Sequence, residues 1–157
     1  MLSPQKTMEL MTDGEIEIKP FNLEMFKPGS YSFTLGNKFK KLKSDSVPIH
    51  VIDSRNKKQK FEEYEIASEG YELQPGEFII CQTAETLHLG PNIGCFLTMR
   101  GAKAQMGLDF LQSEIFCEPG SSGGWDGKLM LETTNRGPYP IRLFPGISVI
   151  KAIFVGF

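Results

Sequence analysis

The amino-acid sequence predicts a mainly β protein, a sandwich or barrel of short strands behind a short N-terminal helix. Two observations carry that prediction. After the opening segment, short apolar runs alternate with Gly and Pro punctuation to the end of the chain, the pattern of an all-β domain. Hydrophobic residues make up 40% of the 157, with 12 Phe, which suits a packed core and not a disordered chain.

Ser3-Pro4 reads as a helix start, because a Ser hydroxyl accepts from the first free N–H groups and Pro fits the first helical position. Gly14 is the stop, so a helix is predicted over Pro4–Thr12. Residues 15–19, Glu-Ile-Glu-Ile-Lys, alternate with period two and form a strand closed by Pro20. Further strands are predicted at 31–35, 47–52, 62–66, 77–83, 93–99, 115–117, 128–133, 141–143 and 148–155, in a stretch punctuated by Gly and Pro. No internal repeat is present, and the length fits a single domain over residues 1–157.

Charge and cysteine usage exclude several classes. A formal net charge of -2 supplies no field for nucleic acid or an anionic membrane, so neither is expected as a partner. The opening residues carry charge throughout and lack the apolar stretch of a signal peptide. No apolar run approaches the roughly 18 residues of a membrane span. Cys81, Cys95 and Cys117 are odd in number and widely spaced, which suits reduced thiols in the cytoplasm better than a disulfide framework. A zinc site needs a clustered His/Cys set, and His50, His88 and the scattered cysteines offer none; a metal-free fold is expected. Two basic stretches, Lys38, Lys40, Lys41, Lys43 and Arg55, Lys57, Lys58, Lys60, precede the acidic Glu62, Glu63 and Glu65. A polyanion patch is one reading. The one adopted is a solvated hairpin whose charged edges discourage sheet-to-sheet pairing.

The candidate chemistry lies between Met99 and Glu132. Arg100 sits in a turn of small residues, Pro119-Gly120 opens a glycine loop, and Glu132 ends an apolar alternation. A guanidinium, exposed backbone N–H groups and a carboxylate on a rigid strand are what a phosphorylated small molecule requires of a binding site.

Five blocks in order resemble the dCTP deaminase/dUTPase family. They are Leu2-Ser3-Pro4 with residues 14–21, Pro28-Gly29-Ser30-Tyr31-Ser32-Phe33-Thr34-Leu35-Gly36, and Tyr71-Glu72-Leu73-Gln74-Pro75-Gly76-Glu77-Phe78. Gly124-Trp125-Asp126-Gly127-Lys128-Leu129-Met130-Leu131-Glu132 and Pro140-Ile141-Arg142-Leu143-Phe144-Pro145-Gly146 complete the series. The resemblance implies a dUTPase-like β-clip, that is a distorted jelly-roll or β-barrel protomer, assembled as a homotrimer with nucleotide sites between subunits. Deaminase members of the family convert dCTP to dUTP without a catalytic metal, and diphosphatase members cleave dUTP to dUMP with Mg²⁺. No intrinsic cofactor is therefore expected, and Mg²⁺ is expected only with a bound nucleoside triphosphate.

Position by position the motif is altered. Where family enzymes carry a G-R-S-S-x-A-R-x-G-like run, this chain has Met99-Arg100-Gly101-Ala102-Lys103-Ala104-Gln105-Met106-Gly107. Arg100 and Gly107 are kept. Gly101 replaces the Ser that positions the attacked amino group, Ala102 the Ser that contacts phosphate, and Gln105 the later Arg. Glu132 matches the carboxylate that activates water, and Glu118 stands where Asp precedes Pro-Gly. Ser121-Ser122-Gly123-Gly124 is inserted before Trp125, and Ser32 takes the place of an Asp. The sequence stops at Phe157, where many members continue into a tail over the triphosphate; without it the site is expected to be wetter.

Each candidate has a structural alternative. Glu132 is a general base, a ligand contact, or a Glu satisfied by a neighbouring backbone or Arg. Arg100 binds phosphate or makes an interface ion pair. Lys103 supplies a charge and Gln105 reads a base edge, or both are plain surface. The loop from Pro119 through Gly124 is an anion nest or a flexible connection, and Trp125 stacks a base or packs in an interface. Loss of the two orienting groups at 101 and 105 is expected to cost orders of magnitude in rate. The leading expectation is a nucleotide-binding member with weak or no deaminase activity, which senses or sequesters its ligand. An active dCTP deaminase or dUTP diphosphatase using Glu132, and a ligand-free trimeric scaffold, are the alternatives.

Overall fold

The computed structural model describes residues 1–43, 54–55, 60–112, 115–119 and 126–157. The predicted strand at 47–52, the loop residues 120–124 and Trp125 lie outside them. Helix α1, Pro4–Thr12, has the predicted bounds, with the Ser3 hydroxyl accepting from the Lys6 N–H at 3.1 Å. The strands follow: β1 Ile16–Lys19, β2 Phe26–Lys27, β3 Ser30–Leu42, β4 Phe61–Glu65, β5 Tyr71–Leu73, β6 Phe78–Leu89 and β7 Ile93–Met99. A short helix α2, Gly101–Ala104, precedes β8 Leu108–Asp109, β9 Phe116–Cys117, β10 Asp126–Asn135, β11 Ile141–Leu143 and β12 Ser148–Gly156.

Ten of these strands make one curled sheet in the order β8-β10-β6-β3-β12-β7-β9, with β1 added on β6 and β2 and β4 on β3; β11 and β5 form a separate ladder. The curl arises in β3. Its first half pairs with β12 and its second half with β6 and β4, with a break in register between Leu35 and Phe39. Gly36 sits at this corner, where an added Cβ would lie 3.0 Å from the carbonyl oxygens of both Gln82 and Thr83. A side chain there would press on the backbone of β6, so the bend favours glycine.

Strand β6 shows how sequence selects the face. From Ile79 to Leu89 every second residue is buried, the period of a pleated strand with one face on the core. Ile79, Cys81, Leu87 and Leu89 meet Tyr31, Phe33, Leu35, Leu131, Val149 and Phe154 in a single cluster.

The predicted strands at 31–35 and 77–83 are each the first half of a longer strand. Both continue through polar or charged residues, Asn37 and Lys38 in β3 and Glu85, Thr86 and His88 in β6, because pairing partners on the sheet outweigh local composition. The hairpin reading of the first basic stretch matches the structure: Lys38 faces Glu65, Lys40 faces Glu63 and Lys41 faces Glu62 across β3 and β4.

Candidate functional site

Glu132 lies on β10, where Leu129, Leu131, Thr133 and Asn135 point into the core and Met130, Glu132 and Thr134 point away from it. It stands opposite Ile80 of β6, so both side chains emerge on the outer face. Ile80 in turn faces Lys40 of β3, which pairs with Glu63 at 3.3 Å. Glu132 is half-buried, and the Gln112 amide donates to its carbonyl oxygen at 3.3 Å and to the Thr134 hydroxyl. The strand is pinned at its far end by Asn135, whose side chain is fully buried. Its amide donates to the carbonyls of Leu73 and Tyr139 at 3.0 and 2.8 Å, and its oxygen accepts from the Gly137 N–H at 2.9 Å. Every polar atom of that amide group is satisfied, which fixes the turn behind Glu132.

Arg100 leaves the end of β7. Its N–H donates to the Val149 carbonyl at 3.1 Å, and its Nη1 donates to the hydroxyl of the buried Ser32 at 3.1 Å. Ser at position 32 gives the guanidinium a neutral hydrogen-bond partner, so its charge is not cancelled there. In α2 and the following turn, Gly101, Ala102 and Gln105 are exposed and Lys103 is half-buried. A side chain added at Gly101 would meet nothing within 4 Å. Gly107 has φ +90°, and a Cβ there would lie 2.6 Å from the Gly137 nitrogen. The Arg136 N–H donates to its carbonyl at 2.7 Å. Gly107 therefore docks one turn against the other and is a positioning residue.

The candidate residues form two patches within one chain. Arg100 and α2 belong to the half of the sheet built on β7, β12 and the first part of β3; Glu132 belongs to the half built on β6 and β10. Segment 100–109 reaches β10 only at its far end, through Gly107 to Arg136 and Asp109 to Thr134. Glu118 is exposed just beyond β9, which is paired to β7. Gly124 and Trp125 lie outside the described residues. Asn135 is the participant sequence reasoning missed, although the Asn135-Arg136-Gly137 run carries a turn signature that points to it. Ser32 stood out in sequence only as a change from the family's Asp, and its contact with Arg100 is given by the fold.

Cys81 and Cys95 are not reactive thiols. Burial pushes the Cys81 thiol up to about 12, and the contact with Cys117 followed by burial raises that of Cys95, so neither is a thiolate at neutral pH. Among the described residues no group of three His, Cys, Asp or Glu is placed to hold a metal ion.

The curled sheet is the dUTPase-like fold, as two solved structures show. The chain superposes on 2'-deoxycytidine 5'-triphosphate deaminase from Agrobacterium tumefaciens with TM-score 0.71 at 20% identity, over 98% of this chain and 46% of that one. It thus spans just under half the length of that structure. On the dUTPase from Streptococcus mutans the TM-score is 0.54 at 11% identity, over 90% of this chain and 94% of that one. In sequence it is 26% identical to the dUMP-forming dCTP deaminase of Persephonella marina over 156 residues, covering 98% of this chain and 82% of the relative. To the protein of the same description from Nanoarchaeum equitans it is 27% identical over 165 residues, covering 96% and 81%. Residues 1–156 match the family described as dCTP deaminase-like, and the chain belongs to that family.

Proposed function

We propose that this protein binds a pyrimidine deoxynucleotide through Arg100 and Glu132 and turns it over weakly or not at all, acting as a sensor or a store of its ligand. The observation that carries this is the turn from Arg100 to Gln105. It keeps the guanidinium, yet presents Gly101, Ala102 and an exposed Gln105 where the family resemblance calls for two hydroxyls and a second guanidinium. Deamination of cytosine requires water to add at C4 and ammonia to leave, so an activated water and an oriented amino group must coexist. Glu132 supplies a candidate base for the first; the groups that would orient the second are missing. Binding survives because phosphate recognition by Arg100 and contacts along β10 do not depend on them.

Several features support a homotrimer in which each site is shared by two copies: the separation of the two patches, and the apolar Phe78 and Met130 on the outer face near Glu132, 37% and 41% exposed. A resident metal does not fit the described residues; Mg²⁺ enters only on the phosphates of a bound triphosphate. No helix among the described residues is long and apolar enough to cross a membrane.

The test follows ammonia and pyrophosphate release from dCTP and dUTP while melting temperature is read against a nucleotide panel. Stabilisation without release is the expected result; release at enzyme-like rates overturns the proposal. In the same assay Arg100→Ala weakens binding of a phosphorylated ligand by about 1.5–3 kcal/mol, the value of a charge-assisted contact, and leaves the β fold intact. Unchanged affinity in the folded variant makes Arg100 structural.

A further inference from the structure

Beside Glu132, on the same outer face, the sheet is hollowed into a concavity of about 370 Å³ whose walls carry Lys38 and Lys40 of β3 and Lys128 of β10. Ile80, Gln82 and Met130 contribute to its lining. Glu63, also on its wall, pairs with Lys40 at 3.3 Å, so three lysines stand against one carboxylate among the described residues that line it. Lys128 is held in place: its Nζ donates to the Ala84 carbonyl at 3.0 Å, where β6 and β10 break register. That contact uses one of three ammonium donors and leaves two for a ligand.

We infer that this lysine-lined concavity is the cradle for the phosphate chain of the bound nucleotide. The inference rests on the nucleotide-binding reading above and adds to it a phosphate site outside the Arg100 turn. Geometry supports it. Lys40 and Glu132 are both register partners of Ile80, so their Cα atoms stand two strand spacings, about 10 Å, apart. That distance is one a nucleotide spans with its base against Glu132 and its phosphates over the lysines. Chemistry supports it as well. The turn that resembles a phosphate loop has Ala102 and Gln105 in place of a hydroxyl and a guanidinium, so a triphosphate needs cations from elsewhere, and flexible lysines around a concavity supply them as point charges. A solvated charged face is the ordinary reading of Lys38 and Lys40 on a hairpin. It does not account for Lys128, contributed by a different strand and folded onto the same hollow.

The experiment titrates the full chain with dCTP, deoxycytidine and inorganic tripolyphosphate. It compares the wild type with the double variant Lys38→Gln/Lys128→Gln and with Lys27→Gln, which removes one exposed positive charge elsewhere. The Gln side chains keep a polar donor near Ala84, and melting temperatures without ligand record whether each variant folds. The expected result is tripolyphosphate binding to the wild type in competition with dCTP. The double variant is expected to lose roughly 10- to 100-fold in dCTP affinity, while deoxycytidine binding and Lys27→Gln remain unchanged. Equal dCTP affinity in the folded double variant, or tripolyphosphate that fails to compete in the wild type, overturns the cradle and leaves nucleotide binding standing. Tripolyphosphate binding without any nucleotide binding overturns the nucleotide reading and leaves an anion site.

Discussion

Gly101 opens α2 with open space where a side chain would stand, and the exposed Gln105 closes the same turn. Neither position is occupied by its residue for a packing reason. The pair therefore isolates chemistry from stability. Gly101→Ser and Gln105→Arg together are expected to fold like the wild type and to raise ammonia release from dCTP, provided Glu132 still activates water; adding Glu132→Gln should abolish the gain. The two changes sit in one turn and belong in one variant, since orienting groups act as a unit. Robust turnover by the unaltered protein gives the opposite answer: Lys103 or Glu118 then does the work of the missing groups. Gly107 contrasts with Gly101, for its φ of +90° and the approach of Gly137 require glycine, so its match to the family pattern reports architecture.

At the scale of elements, two networks hold the strands that carry the site. In the first, the buried Glu85 of β6 accepts from the Thr34 N–H at 2.9 Å and from its hydroxyl at 2.8 Å, tying β6 to the bend of β3. Glu85→Ala leaves both donors unpaired inside the sheet and is expected to cost about 2–4 kcal/mol by urea unfolding; Glu85→Gln, which keeps an acceptor, is expected to cost less. In the second, Lys41 of β3 pairs with Glu77 at 2.6 Å and lies 4.9 Å above the Tyr71 ring, whose hydroxyl donates to Glu77. Burial alone would raise the Glu77 carboxyl, but contacts from Lys41, Tyr71 and the Gln74 N–H outweigh it and hold the group below the usual carboxylate range. A carboxyl lowered in the fold stabilises it above that range, and the contribution is lost as pH falls through the lowered value. Lys41→Met is expected to flatten this acid dependence as pH falls below the ordinary Glu value of 4.5, read in urea midpoints, with a loss of about 1–2 kcal/mol at neutral pH. An unchanged acid slope assigns the dependence to other carboxylates.

These networks also show what the sequence made legible. The helix was readable to the residue because Ser3-Pro4 and Gly14 act locally. The core strands were readable from apolar alternation. Residues 84–89 were missed as strand because Glu85, Thr86 and His88 break an apolar run, and what holds them there is pairing with β1 and β10 together with the contact of Glu85 to Thr34, 51 positions away in sequence. The same holds for the site. Arg100, Glu132 and the change at Ser32 stood out by motif resemblance, while the bond from Arg100 to Ser32 and the Lys128 hollow depend on contacts between strands that no local pattern encodes.

On the scale of the whole molecule, Arg100 and Glu132 belong to opposite halves of one curled sheet, and a ligand that needs both is best served by two chains. A head-to-tail interface that closes on itself repeats such a shared site once per subunit. Sedimentation at micromolar concentration is expected to show a trimer, and a clean monomer would rule the arrangement out. Subunit mixing tests the sharing itself. Arg100→Ala and Glu132→Gln chains, each weak in dCTP binding alone, are refolded together in equal amounts. If each site takes Arg100 from one chain and Glu132 from its neighbour, about a quarter of the sites in random trimers are intact on both sides, and the calorimetric titration recovers that fraction at wild-type affinity. If both residues serve one site within a chain, every site carries one defect and mixing recovers nothing. A recovered fraction near zero in a mixture shown to be trimeric would place the whole site in a single subunit.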